Sequence, residues 1–218
     1  MFNKSLSLLI IFIVFIILIY LVINRAETME PSLSRNDKNM FYNYLNRSTV
    51  YFEYGSGGST YQASIRKNII KIYSVESDIS WQNKLKRNIT NENIIYIYNE
   101  MDARPKTWGR PGKNATNTQK KSYSNHIRNL SKIEQDIIDL VFIDGRFRVA
   151  CCLKCYDIIK DNCLIAFDDF LNRPYYHIVL KYFDIIERTT DNRMVILKKR
   201  RIRFIPQEII EKYELIED

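Results

Sequence analysis

Short β-prone runs alternate with amphipathic stretches along most of this chain, and that alternation sets the expected architecture. Thr49–Glu53, Ile70–Val75, Asn93–Tyr98, Ile137–Ile143 and Cys163–Phe167 read as strands. Between them, Thr60–Asn68, Trp81–Thr90, Tyr123–Glu134 and Arg146–Lys160 read as helices. In the last of these, Val149, Cys152, Leu153, Tyr156 and Ile159 recur at helical spacing. Tyr175–Tyr182 reads as a further helix. Phe183–Arg188 and Arg193–Leu197 flank a turn at Thr190-Asp191-Asn192, so they pair antiparallel. Strand–helix alternation requires a mainly parallel sheet with helices on both faces. The expectation is therefore an α/β fold whose seven-stranded, mostly parallel sheet ends in an antiparallel hairpin.

The amino-terminal pattern is different. Leu8–Ile23 is unbroken apolar sequence. With Leu6 and Ser7 it gives a helix of roughly 27 Å, enough to span a bilayer. A cleaved signal peptide is the rival reading, but its apolar region is usually about 7–15 residues, and Asn24-Arg25-Ala26-Glu27 is a poor cleavage site. The division expected is a transmembrane anchor over 1–24, a polar stalk over 25–44, a catalytic domain over 45–199, and a basic cluster with an acidic tail over 200–218. This places the protein at a membrane, single-pass, with the side of the domain open.

The glycine-rich stretch Glu53-Tyr54-Gly55-Ser56-Gly57-Gly58-Ser59-Thr60 joins a strand to a helix. Gly55 can take a backbone angle that a side chain forbids, and Gly57 and Gly58 leave room for a ligand against the main chain. Ser59 and Gln62 have the spacing of a capping pair. A dinucleotide turn wants a third glycine where Thr60 stands, which removes support for NAD. Glu76 ends the second strand, about 20 residues on, where a carboxylate can accept from both hydroxyls of a ribose. Asp144 ends the fourth strand, and Asp168 and Asp169 end the fifth. Carboxylates gathered there suit a hard cation such as magnesium.

These joined elements resemble the class I S-adenosylmethionine (SAM) methyltransferases, a Rossmann-like family. The resemblance rests on E-x-G-x-G at Glu53–Gly57, on Ser74-Val75-Glu76, on Asp139–Gly145 and on Phe167-Asp168-Asp169. It implies SAM as cofactor, with Glu53, Gly55, Ser56, Gly57, Ser59, Glu76 and Asp144 lining its site. Asp144, Asp168 and Asp169 are also similar to the acids that hold a metal in catechol-type O-methyltransferases. Two departures stand: Asp169 replaces the usual Asn, and Gly145-Arg146-Phe147 follows the first acid without a lysine. Asp144 and Asp169 are the candidate catalytic groups.

Charge and cysteines refine this picture. The net charge of +8 favours anionic partners. Cys151, Cys152, Cys155 and Cys163 lack the spacing of a zinc site and read as buried thiols. The irregular stretch Asn99–Ser122 carries Arg104, Lys106, Arg110, Lys113 and Lys120 and is placed to wall the site. The expected acceptor is a hydroxyl oxygen of a small molecule, or of a glycan, given the anchor and the sequons at Asn46, Asn88, Asn114 and Asn129. Two other readings are an RNA methyltransferase, suggested by the basic loop and tail, and a non-catalytic SAM-binding interaction module at the membrane.

Overall fold

The computed structural model describes residues 11–16, 28–191, 193–202 and 204–217. Its elements are α1 (Arg35–Leu45), β1 (Val50–Tyr54), α2 (Gly58–Ser64), β2 (Lys71–Glu76), α3 (Ile79–Asn88), β3 (Ile94–Tyr98), α4 (Asn117–Asn125), α5 (Lys132–Ile137), β4 (Leu140–Ile143), α6 (Arg148–Cys155), β5 (Leu164–Phe167), β6 (Phe183–Arg188), β7 (Val195–Lys199) and α7 (Gln207–Tyr213). His126–Asn129 and Pro174–Lys181 are 3₁₀ turns; the second replaces the α-helix expected over Tyr175–Tyr182.

The seven strands form one sheet in the order β3-β2-β1-β4-β5-β7-β6. β1 to β5 run parallel, whereas β7 is antiparallel to both β5 and β6. The chain starts in the middle, builds outward on one side, then returns to add β4 beside β1. That reversal opens a crevice at the carboxyl ends of β1 and β4, where open α/β sheets bind ligands.

Every residue of β1 is buried, as a central parallel strand requires. Its alternate residues serve two cores. Phe52 and Tyr54 join Val141, Ile143, Ile165 and Phe167 under α4 and α6. Tyr51 joins Phe142, Ile72, Ala166 and Ile196 on the opposite face, under α1. Phe41 of α1 lies 4.6 Å, centroid to centroid, from Phe142. Residues 28–44, in the segment read as a stalk, thus lie against the domain, and the buried Asp37 of α1 accepts from the Met194 N–H at 3.2 Å. The four cysteines are buried.

The membrane anchor is corrected. Among the described residues no helix is long and apolar enough to cross a membrane. Of the expected anchor, residues 11–16 are helical, about 9 Å at 1.5 Å per residue; residues 1–10 and 17–24 lie outside the described residues. The membrane partner and the single-pass membrane localisation are withdrawn with it, and the glycan acceptor loses its main argument.

The helix expected over Tyr123–Glu134 is in fact three pieces: α4, a 3₁₀ turn and α5. Two capping boxes set the starts. The Thr116 hydroxyl accepts from the Gln119 N–H at 3.2 Å, and the Ser131 hydroxyl from the Glu134 N–H at 3.3 Å.

Candidate functional site

A cavity of about 840 Å³ opens over the carboxyl ends of the parallel strands. Gly55, Ser56, Gly57, Ser59, Glu76, Asp144, Asp168 and Asp169 all line it. Glu53 does not; it lies fully buried beneath the floor. There its carboxylate accepts from the hydroxyls of Tyr51 at 2.8 Å, Ser59 at 2.6 Å and Ser74 at 2.6 Å, and from that of Thr60. Burial pushes its pKa up, against those four hydrogen bonds. So Glu53 anchors the start of α2 from below.

The glycine turn is built differently from the sequence expectation. Gly57, not Ser59, precedes the first helical residue, and its N–H donates to the Thr60 hydroxyl at 2.9 Å. Ser59 is engaged by Glu53, while Gln62 donates to the Met29 carbonyl at 3.1 Å and to Glu30 Oε1 at 2.9 Å. Gly55 has φ +96°, which favours glycine. Among the described residues a Cβ on Gly57 would meet nothing within 4 Å, so open space lies against that backbone. A Cβ on Gly58 would strike Glu30 and Pro31. The room at Gly58 is therefore taken by residues 30–32, which form a cavity wall that sequence reasoning missed.

Glu76 is 6% exposed at the end of β2. Its Oε1 accepts from the N–H groups of Ser77 at 2.6 Å and Asp78 at 2.8 Å. Burial outweighs these bonds and raises its pKa to about 7. The expected wall between β3 and α4 is present: Pro105, Lys106, Trp108 and Gly109 reach the cavity. The Ser77 hydroxyl donates to the Gly109 carbonyl at 2.8 Å, pinning that loop beside Glu76. Met101, just beyond β3, is buried in the core.

Asp144 and Asp168 sit where the sheet ladder overshoots its strands. The Asp144 N–H donates to the Tyr54 carbonyl and the Asp168 N–H to the Ile143 carbonyl, at 3.0 and 3.1 Å. Arg148, at the start of α6 and 4% exposed, lies among the acids. Its Nη2 is 2.9 Å from Asp144 Oδ1; its Nη1 is 3.5 Å from Asp169 Oδ2 and 3.7 Å from Asp168 Oδ2. Asp169 also meets Arg173 at 2.8 Å and Arg193 at 2.7 Å. Burial opposes ionisation of Asp169, but the Arg193 hydrogen bond and the charges of Arg148 and Arg173 hold its pKa below the usual range. Burial, with Asp144 and Asp169 adjacent, pushes Asp168 up to about 8. Among the described residues Asp168 Oδ1 is buried without a hydrogen-bond partner. Burial raises Asp144 also, against the attraction of Arg148.

This donor set does not fit a divalent metal. Guanidinium groups occupy the space between the carboxylates, and among the described residues no three acidic, histidine or cysteine side chains are placed to hold an ion. The magnesium expectation is withdrawn on that geometry. The two histidines are engaged elsewhere: His126 Nε2 lies 2.8 Å from Asn99 Oδ1, and His177 Nε2 lies 3.1 Å from the Phe170 carbonyl.

Solved structures give the same architecture. A methyltransferase-like protein from Silicibacter pomeroyi is 25% identical, covers 85% of this chain and 95% of its own, and superposes with a TM-score of 0.70. An O-methyltransferase from Bacillus cereus, in complex with SAH, is 10% identical over 78% of this chain and 84% of its own, at 0.51. A tRNA (m1A58) methyltransferase from Aquifex aeolicus is 11% identical over 79% and 72%, at 0.50. No family model matches the sequence, and no curated protein matches it. The chain has the fold of the class I SAM-dependent methyltransferases, as the motifs implied.

Proposed function

We propose that the chain is a SAM-dependent methyltransferase whose acceptor is a hydroxyl oxygen of a small, polar molecule. One observation carries this reading: Gly57, Glu76 and Asp144, from three different strand ends, line one cavity at the point where the strand order reverses. Its size is in the range of pockets that bury a whole ligand, and the open backbone at Gly57 fits a close approach by the cofactor's amino-acid end. Ser56 and Ser59 stand beside it, and Glu76 accepts the ribose hydroxyls. Asp144 holds the polar end of the cofactor and faces the acceptor side.

When bound, SAM supplies an electrophilic methyl group on a sulfonium centre. The protein's share is alignment for in-line attack, which can supply several kcal/mol of the barrier (about 7–11 in the best intramolecular cases). Asp144, with its side chain 27% exposed, is the most accessible of the three acids; it accepts the hydrogen bond of the attacking hydroxyl and takes its proton as the oxygen is methylated. Asp169 is gripped by two other arginines and orders Arg173 and Arg193 along the acceptor wall.

Calorimetry of the full chain with SAM, its demethylated product SAH, and NAD tests this. SAM and SAH should bind and NAD should not. Glu76→Ala should weaken SAH at least about tenfold, a loss of about 1.4 kcal/mol. Absence of SAM binding ends the proposal.

A further inference from the structure

We infer that Arg148 is the resident cation of this site, placed where metal-using enzymes of similar design would need a divalent ion. The inference goes beyond the cofactor reading and is tested without relying on it.

Arg148 reaches all three acids: its Nη2 is 2.9 Å from Asp144 Oδ1, and its Nη1 is 3.5 Å from Asp169 Oδ2 and 3.7 Å from Asp168 Oδ2. Magnesium needs oxygens at about 2.0–2.1 Å. Each of the two neighbouring carboxylates would have to move inward by more than an ångström to coordinate an ion at that nitrogen's position. The spacing is therefore that of a guanidinium, whose planar fork spans several acceptors at once. The fork is also tied to the chain. Arg148 Nε donates to the Gly145 carbonyl at 3.1 Å, and Nη1 donates to the Asp168 carbonyl at 2.9 Å. These carbonyls flank the strand ends that carry the acids, so the cation and its carboxylates are fixed by the same two loops.

The electrostatics agree. A divalent ion entering here would meet Arg148, Arg173 and Arg193 around the same acids, and like charges at such range repel strongly in a buried site. Arg148 keeps Asp144 oriented and compensates its charge without exchanging with solvent. Acceptor binding is thereby independent of divalent ions.

The test uses the full chain and two readouts, Mn²⁺ binding followed by electron paramagnetic resonance and thermal melting. Wild type should bind no Mn²⁺ at millimolar concentration, and EDTA should leave its melting unchanged. Arg148→Ala should melt lower. Millimolar methylguanidinium should raise the melting of that variant towards wild type while leaving wild type unaffected. Mn²⁺ binding to wild type that disappears in Asp144→Asn would overturn the inference. So would a folded Arg148→Ala that methylguanidinium does not restore. If Arg148→Ala does not fold, Arg148→Lys retains the charge; it should still exclude Mn²⁺, and Mn²⁺ binding to it would be equally fatal. SAH calorimetry on the same samples keeps this result separate from the cofactor reading, because wild type could fail to bind SAH and still exclude Mn²⁺.

Discussion

Gly55 and Gly145 meet back to back where β1 and β4 end, so closely that a Cβ on Gly55 would come 2.8 Å from the Gly145 Cα. A Cβ on Gly145 would in turn collide with the Tyr123 hydroxyl and lie 2.9 Å from the Gly55 nitrogen. The two turns that line the cavity can touch only because neither carries a side chain. Gly145→Ala should therefore lower stability by about 1–3 kcal/mol, the usual cost of overpacking. Tyr123→Phe removes the obstructing oxygen. In a double-mutant cycle followed by denaturant unfolding, the Tyr123→Phe/Gly145→Ala pair should lose clearly less than the sum of the single changes. Strict additivity would show that the collision is relieved elsewhere.

Glu76 gives the site a pH dependence with a definite sign. On the proposed reading the ionised carboxylate accepts from both ribose hydroxyls, and burial raises its pKa to about 7. SAH affinity should rise with pH through neutrality, by about tenfold between pH 6 and pH 8, and flatten above. Glu76→Gln should bind more weakly at pH 8 and lose the slope. The stability effect runs the other way. An acid whose folded pKa lies above its unfolded value of 4.5 is better accommodated when protonated. Its contribution is fullest below about 4.5 and is lost as pH rises to about 7. Melting of unliganded wild type and Glu76→Gln should converge at low pH; a wild-type affinity that is flat from pH 6 to 8 would contradict the assignment.

Much of this fold is legible from residue pattern alone, for identifiable reasons. β1, β4 and β5 announce themselves as apolar runs because both faces of a central parallel strand are covered, and Glu76, Asp144 and Asp168 mark the carboxyl ends of β2, β4 and β5. What pattern could not show is pairing at a distance. Residues 30–32 read as polar linker, yet they lie on Gly58. Arg193 reads as part of a hairpin, yet it reaches Asp169 because β7 runs antiparallel to β5 and brings its first residues to that strand's end, with Val195 opposite Phe167. The expected hairpin contained that information, since its second strand must start where β5 finishes. Arg148, at the start of α6, turns inward to the acids. No periodicity distinguishes an inward from an outward arginine at a helix start. The apolar run at residues 8–23 reads as an anchor, yet among the described residues no helix is long and apolar enough to cross a membrane.

Trp108 is the exposed aromatic of the cavity mouth. It is 78% exposed and sits at φ +58°, between Lys106 at +66° and Gly109 at +67°. Left-handed geometry costs a non-glycine residue about 1–2 kcal/mol, and strain of this kind collects at ligand-binding segments. Gly109 is pinned over Glu76, so the indole stands beside the ribose end of the proposed cofactor. Base–aromatic stacking is worth about 1–3 kcal/mol, and Trp108→Ala should weaken SAH by about tenfold. Trp81, whose indole N–H donates to the Ser56 carbonyl at 2.8 Å, serves as the internal control. SAH should quench wild-type emission strongly and Trp108→Phe weakly. Equal quenching in both would place the ligand away from this loop.

Lys154 presents a different kind of dependence, between the core and the chain's last described helix. It is 1% exposed on α6 and pairs with Glu214, which follows α7; its Nζ also donates to Asn125 Oδ1 at 2.7 Å. Burial lowers the lysine pKa, and the Glu214 hydrogen bond and charge oppose that shift. Breaking one side of a buried pair leaves an uncompensated charge and costs about 3–5 kcal/mol, whereas replacing both partners with apolar residues is often neutral. Glu214→Gln should therefore destabilise the chain markedly, and Lys154→Met/Glu214→Leu should recover most of the loss in urea unfolding. SAH affinity should be unchanged in the double variant, because neither residue lines the cavity. Should Glu214→Gln unfold at the wild-type urea midpoint, α7 is held by its apolar contacts through Ile210 and not by this ion pair.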